Sequence, residues 1–298
     1  MKQSFYSQIA SNKRRTFFLI FFFIVVVIGL GYIFSQLMYW GWPGIILISI
    51  FAIIFPIISY YNSDKVALAV SKAKPARKPE HAHLINTVEG LAIAAGIPIP
   101  RVYVIEDAAP NAFATGRDPQ HSAIAVTTGL LQKMDRYELE GVIAHEMSHI
   151  KNYDIRVMTI VVMLVGIVAI LSNVFIRSLW FGGGRSRDNR GGGNLGMILM
   201  LVGIALAILS PLIAQLIKFA ISRKREYLAD ASGAMLTRHP SGLASALKKI
   251  AADHNQLKTA TNATAHLFIS NPFKKKSFSA LFSTHPPIEE RVKRLEEM

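Results

Sequence analysis

Four uncharged apolar stretches constrain this chain more than any other feature. Two lie near its start, at 16–34 (TFFLIFFFIVVVIGLGYIF) and 43–61, and two lie further along, at 157–176 and 195–217. A helix of about 20 apolar residues crosses the hydrocarbon core of a bilayer, which is roughly 30 Å thick. The sequence therefore predicts a mainly α-helical membrane protein with four transmembrane helices.

Basic residues flank the first two stretches. They precede the first one and follow the second one, while the short connection between the two has no Lys or Arg (Lys2, Lys13, Arg14 and Arg15 before; Lys65, Lys72, Lys74, Arg77 and Lys78 after). The positive-inside rule then places both ends of this hairpin in the cytoplasm.

The connection between the third and fourth stretches is basic, with Arg185, Arg187 and Arg190 against Asp188. Two further crossings would place it outside, which is a mild violation of the same rule. We favour two crossings over a hydrophobic hairpin packed at the membrane surface or on the soluble part.

The composition agrees with a membrane protein that has a soluble part. Of the 298 residues 51% are hydrophobic and 17% are charged, against about 25% charged in an ordinary globular domain. The net charge of +14 raises nucleic acid as a partner, but basic residues beside apolar stretches are explained by topology and anionic lipid. With no cysteine, any metal site must use His and carboxylate ligands.

Short elements are expected between the second and third apolar stretches. Residues 80–95 are typical of a helix that ends at Gly96, and RVYVIED (101–107) of a strand. The segments 111–115 and 122–129 predict a hairpin, which together with the strand gives a small antiparallel β-sheet. Asp135 with Glu138 three residues later indicates a helix start with a capping box.

The helix after Asp135 carries His145-Glu146-Met147-Ser148-His149, an H-E-x-x-H pattern. Positions i and i+4 share one helix face, about 5–6 Å apart at Cβ, so both imidazoles can bind one ion. Zinc lowers the pKa of a bound water to about 7, and Glu146 beside the pair can accept its proton and pass it to a leaving amine. The alternative is a pair of histidines that only makes polar contacts on the helix surface.

A catalytic zinc site has three protein ligands and one open position. Glu226, in KREYLAD after the fourth apolar stretch, is the best third candidate. The third stretch continues directly from the H-E-x-x-H helix, so a hairpin of the last two stretches returns Glu226 to the same side of the membrane. Asp230, one turn later, is placed to orient a ligand histidine. Alternatively, Glu226 pairs with Arg223 or Lys224 in solvent.

Four motifs in this order resemble the HtpX-type membrane metalloproteases and their eukaryotic relatives, the CAAX prenyl proteases. They are HEMSH running into an apolar stretch, EYLAD, PNAFATG (110–116), and THPP with an arginine six residues after its histidine. The resemblance covers nearly the whole chain. It implies a gluzincin-like α+β metalloprotease domain on the cytoplasmic side.

The resemblance also implies a role for each site residue. His145, His149 and Glu226 would bind one Zn²⁺ per chain, Glu146 would be the base, and Asp230 would orient a ligand. Asn111, Ala112 and Phe113 would lie on the edge strand that aligns substrate, and His285 and Arg291 would face the tetrahedral intermediate. Simpler roles remain open: Asn111 in a turn, His285 at a helix start, and Arg291 paired with Glu289 or Glu290.

These inferences divide the chain into four segments: an N-terminal transmembrane hairpin (1–62), a cytoplasmic metalloprotease part (63–156), a second apolar hairpin (157–217) and a C-terminal cytoplasmic helical part (218–298).

The expected function is zinc-dependent cleavage of membrane or misfolded polypeptides. We expect it to be independent of ATP, because the sequence has no G-x-x-x-x-G-K-[ST] loop. The resemblance implies a multi-pass protein of the bacterial plasma membrane, active in stress quality control, with both termini and the active site cytoplasmic. The alternative is a membrane protein whose metal site is structural or regulatory and hydrolyses nothing.

Overall fold

The computed structural model describes residues 5–37, 41–162, 223–261, 264–270, 272 and 286–298. Most of the third apolar stretch, the whole fourth stretch and His285 lie outside the described residues. The described part is mainly helical, as expected, and contains one small sheet.

Two long helices begin the chain, α1 (Phe5–Leu37) and α2 (Gly41–Tyr61), and they pack against each other. They contain the apolar stretches 16–34 and 43–61. Within the residues that the structure describes, no helix combines the length and the apolarity needed to cross a membrane. The four transmembrane helices therefore stay a prediction.

The sheet is mixed, so the prediction of an antiparallel sheet is wrong in part. Its strands are β1 (Lys74–Pro75), β2 (Arg101–Ile105), β3 (Ala112–Gly116) and β4 (Ser122–Thr127), in the order β1-β2-β4-β3. The β3–β4 hairpin is antiparallel, as predicted. Its strand β4 also pairs with β2, and these two strands are parallel. This leaves β3 as an edge strand.

Helices α3 (Ser63–Val70), α4 (Lys78–Ala95) and α5 (Thr128–Lys133) surround the sheet, and α6 (Arg136–Lys151) follows it. Two predicted boundaries are confirmed. Gly96 ends α4 with a φ of 68°, a conformation that suits glycine. Asp135 and Glu138 form the reciprocal capping box at the start of α6.

The predicted direct continuation of α6 into the third apolar stretch is wrong. The helix ends at Lys151, Tyr153 has a φ of 59°, and a new helix, α7, begins at residue 154, with 154–162 described. A left-handed residue cannot continue the helical hydrogen-bond ladder. The turn therefore redirects the chain directly after His149.

The described residues of the C-terminal part form the helices α8 (Arg223–Thr237), α9 (Pro240–Ala252) and α10 (Ile288–Glu296). Helix α6 packs against α4, α8, α9 and β3. Buried residues from Leu84 to Leu295 form one hydrophobic core around it. Residues before position 157 and residues after position 222 therefore share a core.

Helix α9 crosses α6 where α6 has a glycine. A Cβ on Gly141 would lie 2.7 Å from the backbone nitrogen of Leu243 and 2.9 Å from its Cα. Backbone atoms cannot move aside as a flexible side chain can, so this contact sets the distance between the two helices.

We predict that Gly141→Ala lowers the free energy of unfolding by about 1–3 kcal/mol, because it forces α9 away from α6. The matched control is Gly90→Ala in α4, where an added Cβ would meet nothing within 4 Å and a gain of about 0.5–1 kcal/mol is expected. Thermal unfolding of both variants measures the difference. Equal midpoints would contradict the close contact.

Candidate metal centre

The two histidines of the H-E-x-x-H pattern lie on one face of α6, as their spacing predicts. Their ring centroids are 4.7 Å apart and their Nε2 atoms 3.2 Å apart. Both side chains are buried. Apolar neighbours on α6 fix this face toward the core, so the two nitrogens are directed at the same point.

Glu226, from the first turn of α8, faces this point. Its Oε1 lies 3.6 Å from Nε2 of His149, and its Oε2 lies 3.9 Å from Nε2 of His145. One ligand atom from each of the three residues lies within 4.8 Å of the others. The three predicted ligands thus come from two helices, and His149 and Glu226 are 77 residues apart in the sequence.

Asp230 lies one turn after Glu226 and contacts the outer nitrogen of His145, with Oδ1 2.9 Å from Nδ1. This is the position predicted for a carboxylate that orients a ligand histidine. Burial would raise the pKa of Asp230, but the Arg291 guanidinium and the His145 hydrogen bond lower it to about 2. The carboxylate is therefore charged at neutral pH.

Arg291, from α10, is fully buried beside Asp230. Its Nε donates to Oδ2 at 2.8 Å, its Nη2 to Oδ1 at 2.6 Å, and its Nη1 to the Ile269 carbonyl at 3.1 Å. Its partner is Asp230 rather than Glu289 or Glu290, because α10 turns this residue into the core and leaves Glu290 to pair with Arg294.

His149 has its own carboxylate, Asp154, which the sequence reasoning missed. Oδ2 of Asp154 lies 3.0 Å from Nδ1 of His149, and both side chains are buried. Residues five apart in one continuous helix would lie about 140° apart around its axis. The turn at Tyr153 brings them together. The sequence gives no clear signal for this turn, because the residue with the positive φ is Tyr153 and not a glycine or asparagine.

The pKa values of the two histidines shift in opposite directions. Burial lowers the pKa of His145 to about 4, with the Arg291 charge adding to this effect. Burial would also lower the pKa of His149, but the Asp154 hydrogen bond and the Glu226 charge raise it to about 9. Without a metal, His145 is therefore neutral and His149 protonated at neutral pH, so the pair carries one positive charge.

The donor set fits a zinc ion. Each Nδ1 faces a carboxylate, which can only accept, so each Nδ1 carries a hydrogen and each Nε2 is the coordinating atom. Two Nε2 atoms 3.2 Å apart repel each other unless a proton or a cation lies between them. Two imidazole nitrogens and a carboxylate oxygen are the ligands of one class of catalytic zinc sites.

Glu146 is buried next to this cluster. Burial raises its pKa to about 7; the Glu226 charge adds to this, while His149 and the Ala114 N–H oppose it. A carboxylate with a pKa near neutrality can both accept and return a proton.

The edge strand β3 passes the cluster, but its outer side is partly occupied. Ile269 donates its N–H to the Ala112 carbonyl at 3.0 Å, and Asn111 Nδ2 donates to the Ser270 carbonyl at 3.1 Å. Phe268 packs edge-on against Phe113, with ring centroids 5.1 Å apart. The three residues predicted to align substrate therefore hold a segment of the same chain.

An H-E-x-x-H helix whose two histidines are each held by a buried carboxylate, together with a glutamate from a later helix, is typical of a metal-dependent peptidase. Comparison with known families agrees: the sequence model of the family described as peptidase family M48 matches residues 78–298. The chain belongs to this family and is a metalloendopeptidase that acts on polypeptides.

Similar proteins extend over the whole chain. A "Protease HtpX homolog" of Caldanaerobacter subterraneus subsp. tengcongensis is 50% identical over 100% of this chain and 99% of its own length. One of Thermoanaerobacter pseudethanolicus is 49% identical with the same coverage. The crystal structure of S. mikatae Ste24p superposes with a TM-score of 0.51 at 19% identity, covering 90% of this chain and 62% of that one; this likeness concerns the fold.

We predict that Arg291→Met lowers the free energy of unfolding by about 3–5 kcal/mol, because it leaves the buried Asp230 carboxylate without its main partner. Arg294→Met, one turn away, removes an exposed pair with Glu290 and should cost at most about 1 kcal/mol. Denaturant unfolding of the metal-free protein separates the two. A loss as small as that of the control would mean that the ion pair does not stabilise the fold.

Proposed function

We propose that this protein is a zinc-dependent endopeptidase in which His145, His149 and Glu226 bind one Zn²⁺. The observation that carries the proposal is the convergence of both Nε2 atoms and the Glu226 carboxylate within 4.8 Å. The histidine orientations support it, since each Nδ1 is held by a separate carboxylate, Asp230 or Asp154.

When bound, zinc supplies the Lewis acidity that activates a water molecule for attack on a peptide carbonyl. Glu146 would hold a water at this site, accept its proton and deliver that proton to the departing amine. Its raised pKa, caused by burial, suits both steps, because a group that titrates near neutrality is an effective base and an effective acid.

We further propose that substrate binds as an extended strand along β3, through Asn111, Ala112 and Phe113. The segment around Ile269 supports this, because an extended backbone already donates to the Ala112 carbonyl. A peptide would bind there by replacing this segment. Main-chain hydrogen bonds of this kind provide affinity with little reading of side chains, which suits membrane or misfolded proteins as substrates.

The roles of Arg291 and His285 at the tetrahedral intermediate are also proposals. Nη2 of Arg291 lies 3.4 Å from His145 Nδ1 and its Nη1 lies 3.8 Å from Glu226. Its positive charge is thus close enough to stabilise a developing oxyanion, although Asp230 accepts two of its hydrogen bonds. His285 rests on the sequence motif alone.

For the location, we propose a multi-pass protein of the bacterial plasma membrane with both termini and the active site in the cytoplasm. Large apolar side chains of α1 and α2 are exposed, among them Phe17, Phe18, Phe21, Leu47 and Ile57. Contiguous exposed apolar surface of this kind indicates a membrane or protein partner. We also propose ATP-independent activity in quality control under stress.

Glu146→Gln tests the mechanism. The amide cannot accept the proton, so we predict a fall in kcat for casein cleavage of about 10²–10⁴-fold, with one zinc per chain retained. Glu140→Gln is the control, since Glu140 lies on the same helix and pairs with Arg136 near the surface; it should cleave as the wild type does.

Full activity in Glu146→Gln would show that another group is the base. A wild-type protein that binds one zinc per chain and cleaves neither casein nor a membrane substrate would instead favour a structural or regulatory metal.

A reporter that is active only outside the cytoplasm tests the topology. Fused within residues 182–193 it should be active, and fused after residue 298 it should be silent, because 157–176 and 195–217 would each cross once. Activity measurements in intact cells distinguish these cases. A silent 182–193 fusion would mean that the last two apolar stretches do not cross the membrane.

A further inference from the structure

We propose that Asn12 of helix α1 is a positioning residue for the metal centre. It holds the carboxylate of Asp154, which in turn orients His149. This inference rests on the proposed function, since His149 has to be a metal ligand for its orientation to matter. It assigns the N-terminal hairpin a part in the active site in addition to membrane anchoring.

The contacts of Asn12 converge on the turn between α6 and α7. Its Nδ2 donates to Oδ1 of Asp154 at 2.8 Å and to the backbone carbonyl of Asn152 at 2.9 Å. Asn12 is 3% exposed, so water does not compete for these hydrogen bonds. One amide group thus fixes both the turn and the carboxylate that the turn presents.

Arg225 completes the arrangement from α8. Its Nη1 donates to Oδ1 of Asn12 at 3.1 Å and lies 3.4 Å from Oδ1 of Asp154. Arg225 immediately precedes Glu226, the third candidate ligand. The Asn12 side chain therefore connects three helices at the point where two of the three ligands are held.

The two oxygens of Asp154 have different partners. Oδ2 faces Nδ1 of His149 at 3.0 Å, and Oδ1 accepts from Asn12 and Arg225. Without Asn12, the contact that Oδ1 keeps among the described residues is the longer one with Arg225, and a buried acceptor that loses a partner is destabilised. The carboxylate can then rotate, and the imidazole that it orients loses its fixed direction.

Asn12 lies outside the segment that the family model matches, which begins at residue 78. In the sequence it stands next to Lys13, Arg14 and Arg15, which were interpreted as a topology signal. The structure shows that this part of α1 also reaches the turn after the H-E-x-x-H helix.

The test uses the full-length, zinc-loaded protein and the variant Asn12→Leu, which keeps the side-chain size and removes both hydrogen-bonding atoms. Zinc affinity is measured by competition with a chelator. We expect an increase in the Kd for zinc of up to about 10–100-fold, the range for removing a group that contacts a ligand directly, because Asn12 acts through Asp154. The absorption bands of the cobalt-substituted protein should shift, since they report ligand geometry.

Asn62→Leu is the matched control. Asn62, at the end of α2, donates to the Ile58 carbonyl in an exposed position. Its substitution should leave the Kd and the cobalt spectrum unchanged. If Asn12→Leu does not fold, Asn12→Ser, which adds no apolar surface, provides the same measurements.

A double-mutant cycle with Asp154→Ala tests whether Asn12 acts on the metal centre through Asp154. If Asn12 acts through Asp154, Asn12→Leu has no further effect on zinc affinity once Asp154 is removed; independent effects would multiply. Multiplying effects, or a normal Kd in Asn12→Leu, would overturn the inference while leaving the zinc site intact. A wild-type protein that binds no zinc would instead overturn the proposed function.

Discussion

The Asp230–Arg291 ion pair is the interaction on which the rest of the site depends. Two charged groups are buried here, where each would be costly alone, and they neutralise each other through two short hydrogen bonds. Asp230 also holds His145, and Arg291 holds the Ile269 carbonyl. The Asp230 carboxylate thereby joins α6, α8 and α10 and fixes the position of the candidate metal site between them.

Asp154 repeats this arrangement for His149 with different partners. Each histidine is held at Nδ1 by a buried carboxylate, and each carboxylate is held by an arginine, Arg291 in one case and Arg225 in the other. Fixed outer contacts leave each Nε2 directed at Glu226, so little reorganisation is needed when a metal binds. Asp154 and Glu226 raise the pKa of His149, so zinc binding at the proposed site would compete with a proton.

What the sequence could predict was mostly local. The shared face of His145 and His149, the capping box and the β3–β4 hairpin depend on neighbouring residues, and the structure contains them. The parallel pairing of β2 with β4 depends on strand order, which spacing does not encode. Asp154 was missed because α6 was assumed to continue, and five residues along a continuous helix point elsewhere. Glu226 was a candidate because a hairpin of the last two apolar stretches would return it to the H-E-x-x-H helix, and its carboxylate does lie beside both histidines.

The segment bound at the edge of β3 affects which peptides could bind there as substrate. The hydrogen bonds that hold the Ile269 segment involve its main-chain atoms, among them the Ile269 carbonyl, which accepts from Arg291. A peptide that replaced this segment would be selected for its ability to become extended. Folded proteins lack free extended segments, whereas unfolded ones provide them, so we infer that substrate conformation matters more than residue identity. The exception is the Phe113–Phe268 contact, where an aromatic substrate side chain would best restore the lost packing.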